Sequence, residues 1–212
     1  MGKRSDVVGR AGANALQNGM IYTRKCGWID LGHARPDGAR DLWDRVRFER
    51  GTPMPGNTTH IIPMIQGMQR FGVRVGTGSR FWIKKGLSTA QKERVALGIY
   101  LDVSEKFERL QSYWPFRWFT DSGFSAEDLV SNLIGFYRAV RPGPNYIAMC
   151  HPVSKEEALD IWDKFGLPGI HKNYLPLPFL FHRGSPVCAM LPPFLSSITP
   201  AGPGKLFGLV RK

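Results

Sequence analysis

The sequence predicts a single α+β domain, in which a small antiparallel sheet or hairpin packs on a helical core. Two observations support this fold class. Apolar residues recur at helical spacing in several segments that begin with capping residues and end near Pro or Gly. Between residues 60 and 84, apolar and polar residues alternate as in strands. At 212 residues, the chain is long enough for one sizeable core.

We predict helices over residues 39–48, 88–113, 125–140 and 154–166, and strands over 60–68 and 146–149. Ser88 with Gln91, and Ser154 with Glu157, have capping-box spacing. Residues 1–20 are expected to form a flexible arm, because they are polar and weakly patterned. Residues 21–212 form the globular domain, and its Pro-rich part from 167 onward is predicted to be an extended tail over the core.

A hairpin is predicted where residues 73–75 and 81–83 alternate around Gly76-Thr77-Gly78. Its outward face is basic and contains one indole, and these residues are candidates for binding an anionic substrate: Arg74, Arg80, Trp82 and Lys84. The alternative is a solvated sheet face without a ligand.

The net charge of +12 favours polyanionic partners, either an anionic polymer of the bacterial envelope or nucleic acid. No segment reaches the length of a transmembrane span. The first residues are basic, but no apolar stretch of a signal peptide follows them. The three cysteines are too few and too scattered for a disulfide framework, so each is expected to be a small buried apolar residue.

A polar seam is predicted between the two longest helices. Helical phase places Glu108 and Gln111 on a stripe that begins with leucines, and it places Asp128 and Asn132 between two apolar sides of the next helix. Buried carboxylates are costly unless they are paired, protonated or bound to a cation, so the seam is the predicted catalytic centre. Alternatively, Asp128 only caps its own helix and Glu108 only pairs with an arginine.

Asp30 and His33 form a second candidate cluster, followed by Arg35 as a substrate-binding residue. If this stretch is helical, Asp30 and His33 share a face, and with Glu108 they would supply ligands for a divalent metal such as zinc. Cys26 is a candidate nucleophile, provided that the fold brings His60 or His151 close enough to act as its base.

Two stretches resemble a bacterial family known as domain of unknown function 4056. Residues 26–35 (CGWIDLGHAR) are similar to the family's Gly-Phe-Ile-Asp-Leu-Gly-His-x-Arg signature, and residues 124–135 (FSAEDLVSNLIG) are similar to its Phe-Ser-x-Glu-Asp-Leu-x-Ser-Asn-x-x-Gly run. The family tends to have a His-Glu pair in the preceding helix, whereas this chain has Phe107 before Glu108. The resemblance implies a bacterial protein and supports the choice of site residues more than a choice of reaction.

These features predict an effector or toxin hydrolase that acts on the cell envelope, with peptidoglycan as the expected substrate. Glu108 would be the acid/base with Asp128 as its partner. We expect synthesis in the bacterial cytoplasm, export by a dedicated secretion system, and a cognate immunity protein as a partner. The alternatives are a basic nucleic-acid-binding protein or nuclease, and a non-catalytic interaction protein.

Overall fold

A computed structural model describes residues 2–13, 18–70, 73–112, 125–181 and 186–210; the side chains of 66–70, 73–77 and 107–112 are not described. The fold is α+β, as predicted, with two four-stranded sheets around a helical core. The sheet order is β1-β2-β6-β7 in the first sheet and β3-β4-β5-β8 in the second. The helices are α1 (Asp37–Arg47), α2 (Thr89–Ser112), α3 (Asp128–Val140), α4 (Tyr146–Met149), α5 (Lys155–Phe165) and α6 (Pro193–Ser196).

The first sheet is assembled from distant parts of the chain. Its strands are β1 (Met20–Thr23), β2 (Gly27–Asp30), β6 (Phe179–Phe181) and β7 (Pro186–Cys188). β1 and β2 form a hairpin, and β2 pairs in parallel with β6. The segment after residue 166 therefore contributes strands, which the prediction of an extended tail did not include.

The second sheet contains the long hairpin, but its turn differs from the prediction. Its strands are β3 (Thr52–Pro53), β4 (Thr59–Arg70), β5 (Val73–Lys84) and β8 (Phe207–Leu209). The predicted turn at 76–78 is wrong, because these residues lie within β5 and pair with residues 65–67 of β4. The alternation of buried and exposed residues along β5 is unaffected by the different position of the turn. Phe81 and Ile83 are buried, as predicted, while Arg80 and Lys84 are exposed.

The helix predictions hold for α1, α2 and α5, and Ser154 does cap α5 by accepting from the Glu157 amide at 3.2 Å. Two other predictions are wrong. Residues 146–149 form a short helix rather than a strand, because the Asn145 side chain accepts from the Ala148 amide and starts a helical turn. α3 begins at Asp128 rather than at Ser125, which instead forms a β-bridge with Lys172.

The described residues of the N-terminal segment contact the body of the domain. Val7 is fully buried and bridges Met20, and Arg4 binds the Asp163 carboxylate of α5 through two hydrogen bonds of 2.6 and 2.7 Å. Among the described helices, none is long and apolar enough to cross a bilayer.

His60 of β4 is a polar residue in the core. Its side chain is fully buried, and neither ring nitrogen has a hydrogen-bond partner in the described part of the chain. Burial lowers the pKa of His60 below its usual 6.5; nearby Glu49 opposes this shift, and Lys85 and Lys92 add to it. His60 is therefore neutral in the folded protein. The lost hydration of its ring nitrogens is not offset by hydrogen bonds in the described part of the chain.

We predict that His60→Leu stabilises the protein, by about 1–3 kcal/mol if the whole desolvation cost of the ring nitrogens is removed. Because the folded-state pKa is lowered, the unfolded chain takes up a proton first as the pH falls through 6.5. Wild-type stability should therefore decline below that pH more steeply than that of His60→Leu. Urea unfolding at pH 7.5 and 5.0 measures this, and an equal gain at both pH values would contradict it.

Candidate functional site

The candidate site forms where the turn after β2 packs against the first half of α3. We call residues 30–35 the 30–35 turn. They are not helical, so the predicted helical face shared by Asp30 and His33 is wrong. Asp30 instead organises the turn: its Oδ1 accepts from the amides of Gly32 at 2.7 Å and His33 at 3.3 Å, and its carbonyl accepts from the Ala34 amide at 2.9 Å.

Small or polar residues form one stripe along α3, and they receive the 30–35 turn. This α3 stripe consists of Asp128, Ser131, Gly135 and Arg138, whose spacing of three, four and three residues keeps them on one helix face. Apart from Asn132, the residues on the other sides of the helix are apolar and buried. The stripe is therefore the part of α3 that can pack against the polar main chain of the 30–35 turn.

Three contacts fix the turn on the α3 stripe. The Ser131 hydroxyl accepts from the Asp30 amide at 3.0 Å and donates to the Glu127 carbonyl at 2.5 Å. Arg138 donates to the Ala34 carbonyl at 2.6 Å. At Gly135 the main chain of the turn lies so close that a Cβ would be 2.9 Å from the His33 carbonyl oxygen. Gly135 thus permits the close approach of the two main chains.

The same packing brings His33 against Asp128. The His33 Nδ1 lies 3.4 Å from Oδ1 of Asp128, and the two side chains are 42% and 7% exposed. The other carboxylate oxygen of Asp128 accepts from the Ser125 amide at 3.0 Å. Asp128 therefore does both things that the sequence left open, because one oxygen holds the start of its helix and the other faces His33.

Asn132 lies one helical turn after Asp128 and is 4% exposed. Its Nδ2 has no hydrogen-bond partner in the described part of the chain. A buried amide donor without a partner costs free energy, and native structures usually supply an acceptor for it. Asn132 therefore has an unused donor in the described part of the chain, one helical turn from Asp128.

A cavity of about 440 Å³ adjoins the site at Asp30. Its other walls come from the N-terminal segment and from the start of β1, so residues of the predicted arm line it. The lining residues are Gly2, Ser5, Asp6, Val8, Asn18, Gly19, Met20 and Asp30.

The remaining predicted site residues are not all brought to this place. The side chains of Glu108, Gln111 and Arg74 lie outside the described residues, so the predicted seam between α2 and α3 stays a prediction on the α2 side. Arg35 is exposed and pairs with Asp37 at 2.6 Å, beside the turn. Trp82 and Lys84 lie on the outer face of β5.

Two interpretations need correction or limitation. The structure does not support Cys26 as a nucleophile, because Cys26 is fully buried and no hydrogen bond joins its thiol to a histidine in the described part of the chain. In the described ranges, no three His, Cys, Asp or Glu side chains lie together as metal ligands. Asp30 and His33 are thus not joined there by a third such ligand.

Sequence reasoning missed Ser131 and Arg138, although their positions were visible. In an apolar helix, polar or small residues at 128, 131, 135 and 138 mark one face. That pattern indicates a partner made of main chain rather than of apolar side chains.

Comparison with known proteins finds no matching family model, no matching curated protein and no matching solved structure. The resemblance to the bacterial family therefore stays a prediction. The two stretches that carry it are nevertheless those that pack against each other, as the 30–35 turn and the first half of α3.

We predict that Gly135→Val destabilises the protein by about 1–3 kcal/mol, because its side chain would overlap the main chain of the turn. Gly202→Ala is a matched control, since nothing lies within 4 Å of the added Cβ. Urea unfolding measures both variants. Equal stability of the two variants would contradict the described packing of the turn on α3.

Proposed function

We propose that this protein is a hydrolase in which His33 activates water and Asp128 orients the imidazole. The observation that carries this proposal is the buried Asp128 carboxylate 3.4 Å behind a solvent-exposed His33. A histidine held by a buried carboxylate on one side and open to solvent on the other is the arrangement that general-base catalysis requires.

The proposed roles follow from the ring geometry. With Nδ1 towards Asp128, the His33 ring points Nε2 away from the carboxylate, where it can take a proton from water. Asp128 would favour the tautomer that bears a proton on Nδ1 and stabilise the imidazolium formed in the reaction. The Ser125 amide, by holding the second carboxylate oxygen, keeps Asp128 fixed during this transfer.

Asn132 favours an acyl bond as the target. Its unpartnered Nδ2 can donate to a carbonyl oxygen on which negative charge develops, as an oxyanion donor does. A glycosidase needs one carboxylic acid and one carboxylate free to act on the substrate. Among the described carboxylates next to His33, Asp128 and Asp30 each accept main-chain hydrogen bonds that build the site. We therefore propose hydrolysis of an amide or ester bond.

Peptidoglycan is the proposed substrate, and its peptide crosslinks and amide branches supply such bonds. The net charge of +12 supports binding to an anionic envelope polymer. An effector or toxin with a cognate immunity protein, exported by a dedicated system, is the biological setting that we propose. Glu108 would act with Asp128, as the sequence predicts, and Glu108→Gln tests that role.

We predict that His33→Gln and Asp128→Asn each lower kcat for release of soluble fragments from purified peptidoglycan by about 100-fold or more. The reason is loss of the base in the first variant and of its orientation in the second. Mass spectrometry of the fragments distinguishes new amino or carboxyl groups, which we expect, from new reducing sugar ends.

The matched control is His151→Asn. His151 is an exposed histidine with φ of 61°, a conformation that Asn tolerates, and it lies outside the site. Wild-type activity in this control, with loss in the two site variants, supports the proposal. Full activity of His33→Gln, or wild-type protein that releases nothing from peptidoglycan, would count against it.

The outer face of β5 favours a second candidate, binding of single-stranded nucleic acid. Arg80 and Lys84 are exposed on either side of Trp82, two residues away along the strand. Trp82 packs against Gly208 of β8, where a Cβ would lie 2.8 Å from the indole nitrogen. An aromatic ring between two cations suits stacking of a base and contact with phosphates.

If this face binds nucleic acid, Arg80→Gln and Lys84→Gln should each weaken binding to a labelled oligonucleotide and reduce the slope of log affinity against log salt by about 1. Fluorescence anisotropy over a salt series measures both quantities. Arg45→Gln is a control on a different element, α1. No binding by the wild-type protein at low salt would eliminate this candidate.

A further inference from the structure

Two cysteines that the proposed mechanism does not use are buried against each other. Cys26 lies in the tight turn between β1 and β2, and Cys150 directly follows α4. Both residues are 0% exposed. Both belong to one buried core cluster, the Cys150 thiol donates to the Tyr146 carbonyl oxygen at 3.1 Å, and Cys26 raises the pKa of the Cys150 thiol. The thiols are therefore neighbours inside the core, although they lie far apart in sequence.

The main chain fixes the two segments side by side. The amide of Lys25 donates to the Cys150 carbonyl at 3.1 Å, and the amide of Arg24 donates to the His151 carbonyl at 3.0 Å. Thr23 and Pro152 form an antiparallel bridge at the end of this pairing. Backbone pairing thus places the two cysteine residues beside each other.

The Cys26 turn is itself rigid. The Thr23 hydroxyl accepts from the Cys26 amide at 3.1 Å and donates to the Gly27 carbonyl at 3.0 Å. Gly27 has φ of 69° and packs directly on the Phe179 main chain of β6. Cys26 therefore has little freedom to turn away from Cys150.

We propose that Cys26 and Cys150 are a disulfide-forming pair, joined when the chain folds in the presence of a disulfide oxidant such as oxidised glutathione. The thiolate of one cysteine attacks the oxidant and releases one reduced thiol, giving a mixed disulfide. The second cysteine then attacks this intermediate and releases the second reduced thiol. The protein loses two hydrogens and two electrons, and the oxidant gains them.

Oxidation has to occur before the core closes. In the folded protein, the hydrogen bond to Cys26 and burial raise the pKa of the Cys150 thiol, so the reactive thiolate is scarce. The third cysteine, Cys188, is exposed on β7 and is not part of the pair, so the expectation that each cysteine is buried is wrong for Cys188. The folded reduced form is therefore expected to resist oxidation, whereas the folding chain accepts it.

The bond would link the β1–β2 hairpin to the end of α4 and close a loop of more than a hundred residues. Crosslinks of this span stabilise chiefly by restricting the unfolded chain. For a chain of this length, we expect the Tm of the oxidised form to exceed that of the reduced form by about 10 °C.

The test uses the full chain with Cys188→Ser, which leaves only the two buried thiols. One sample is refolded with oxidised and reduced glutathione, and the other with dithiothreitol. Both are then denatured in N-ethylmaleimide, and intact mass gives the number of labelled thiols. We expect no label after oxidative refolding, two labels after reductive refolding, and a tryptic peptide that links Cys26 to Cys150.

Cys26→Ala in the same background is the control, and its Tm should not depend on the refolding conditions. If Cys26→Ala does not fold, Cys150→Ala serves instead. Two labels in the monomer after oxidative refolding would overturn the proposal. So would a crosslink found only between chains, seen as a dimer on a non-reducing gel.

Discussion

Docking of the 30–35 turn on the α3 stripe is the contact on which the rest of the site depends. The turn cannot bury its carbonyl and amide groups against an apolar helix face, since each unpaired group would cost free energy. Ser131 and Arg138 provide partners, and Gly135 provides room. The pairing of His33 with Asp128 is a consequence, because both residues lie at the end of the docked surface.

Asp30 and Asp128 each hold local structure through one contact and also belong to the candidate site. Asp30 holds the turn through Oδ1 and also faces the adjoining cavity. Asp128 divides its oxygens between the Ser125 amide and His33. A change at either residue would therefore alter geometry as well as charge, so a conservative amide substitution is more informative than alanine.

The sequence predicted the fold class, most helices and the long strands, because these elements follow from hydrophobic period and from capping residues within a few positions. It failed at short elements. The turn of the long hairpin was placed at 76–78, where three small residues instead continue a strand, and 146–149 were placed in a strand although Asn145 starts a helix. Asp30, His33, Asp128 and Asn132 were each predicted as site residues from the sequence. Their arrangement was not, since it depends on contacts between residues about a hundred positions apart.

That separation has a consequence for how the molecule acquires its site. The hydrogen bond from Asp30 to Ser131 spans 101 residues, and β2 pairs with β6, which begins at Phe179. Before contacts so distant in sequence can form, large loops must close, which costs chain entropy. This cost precedes any stabilisation by the contacts and slows folding. During synthesis, the site would therefore stay unassembled until most of the chain had been made. Fragments that end before β6 would lack the strand that supports β2 beside the turn.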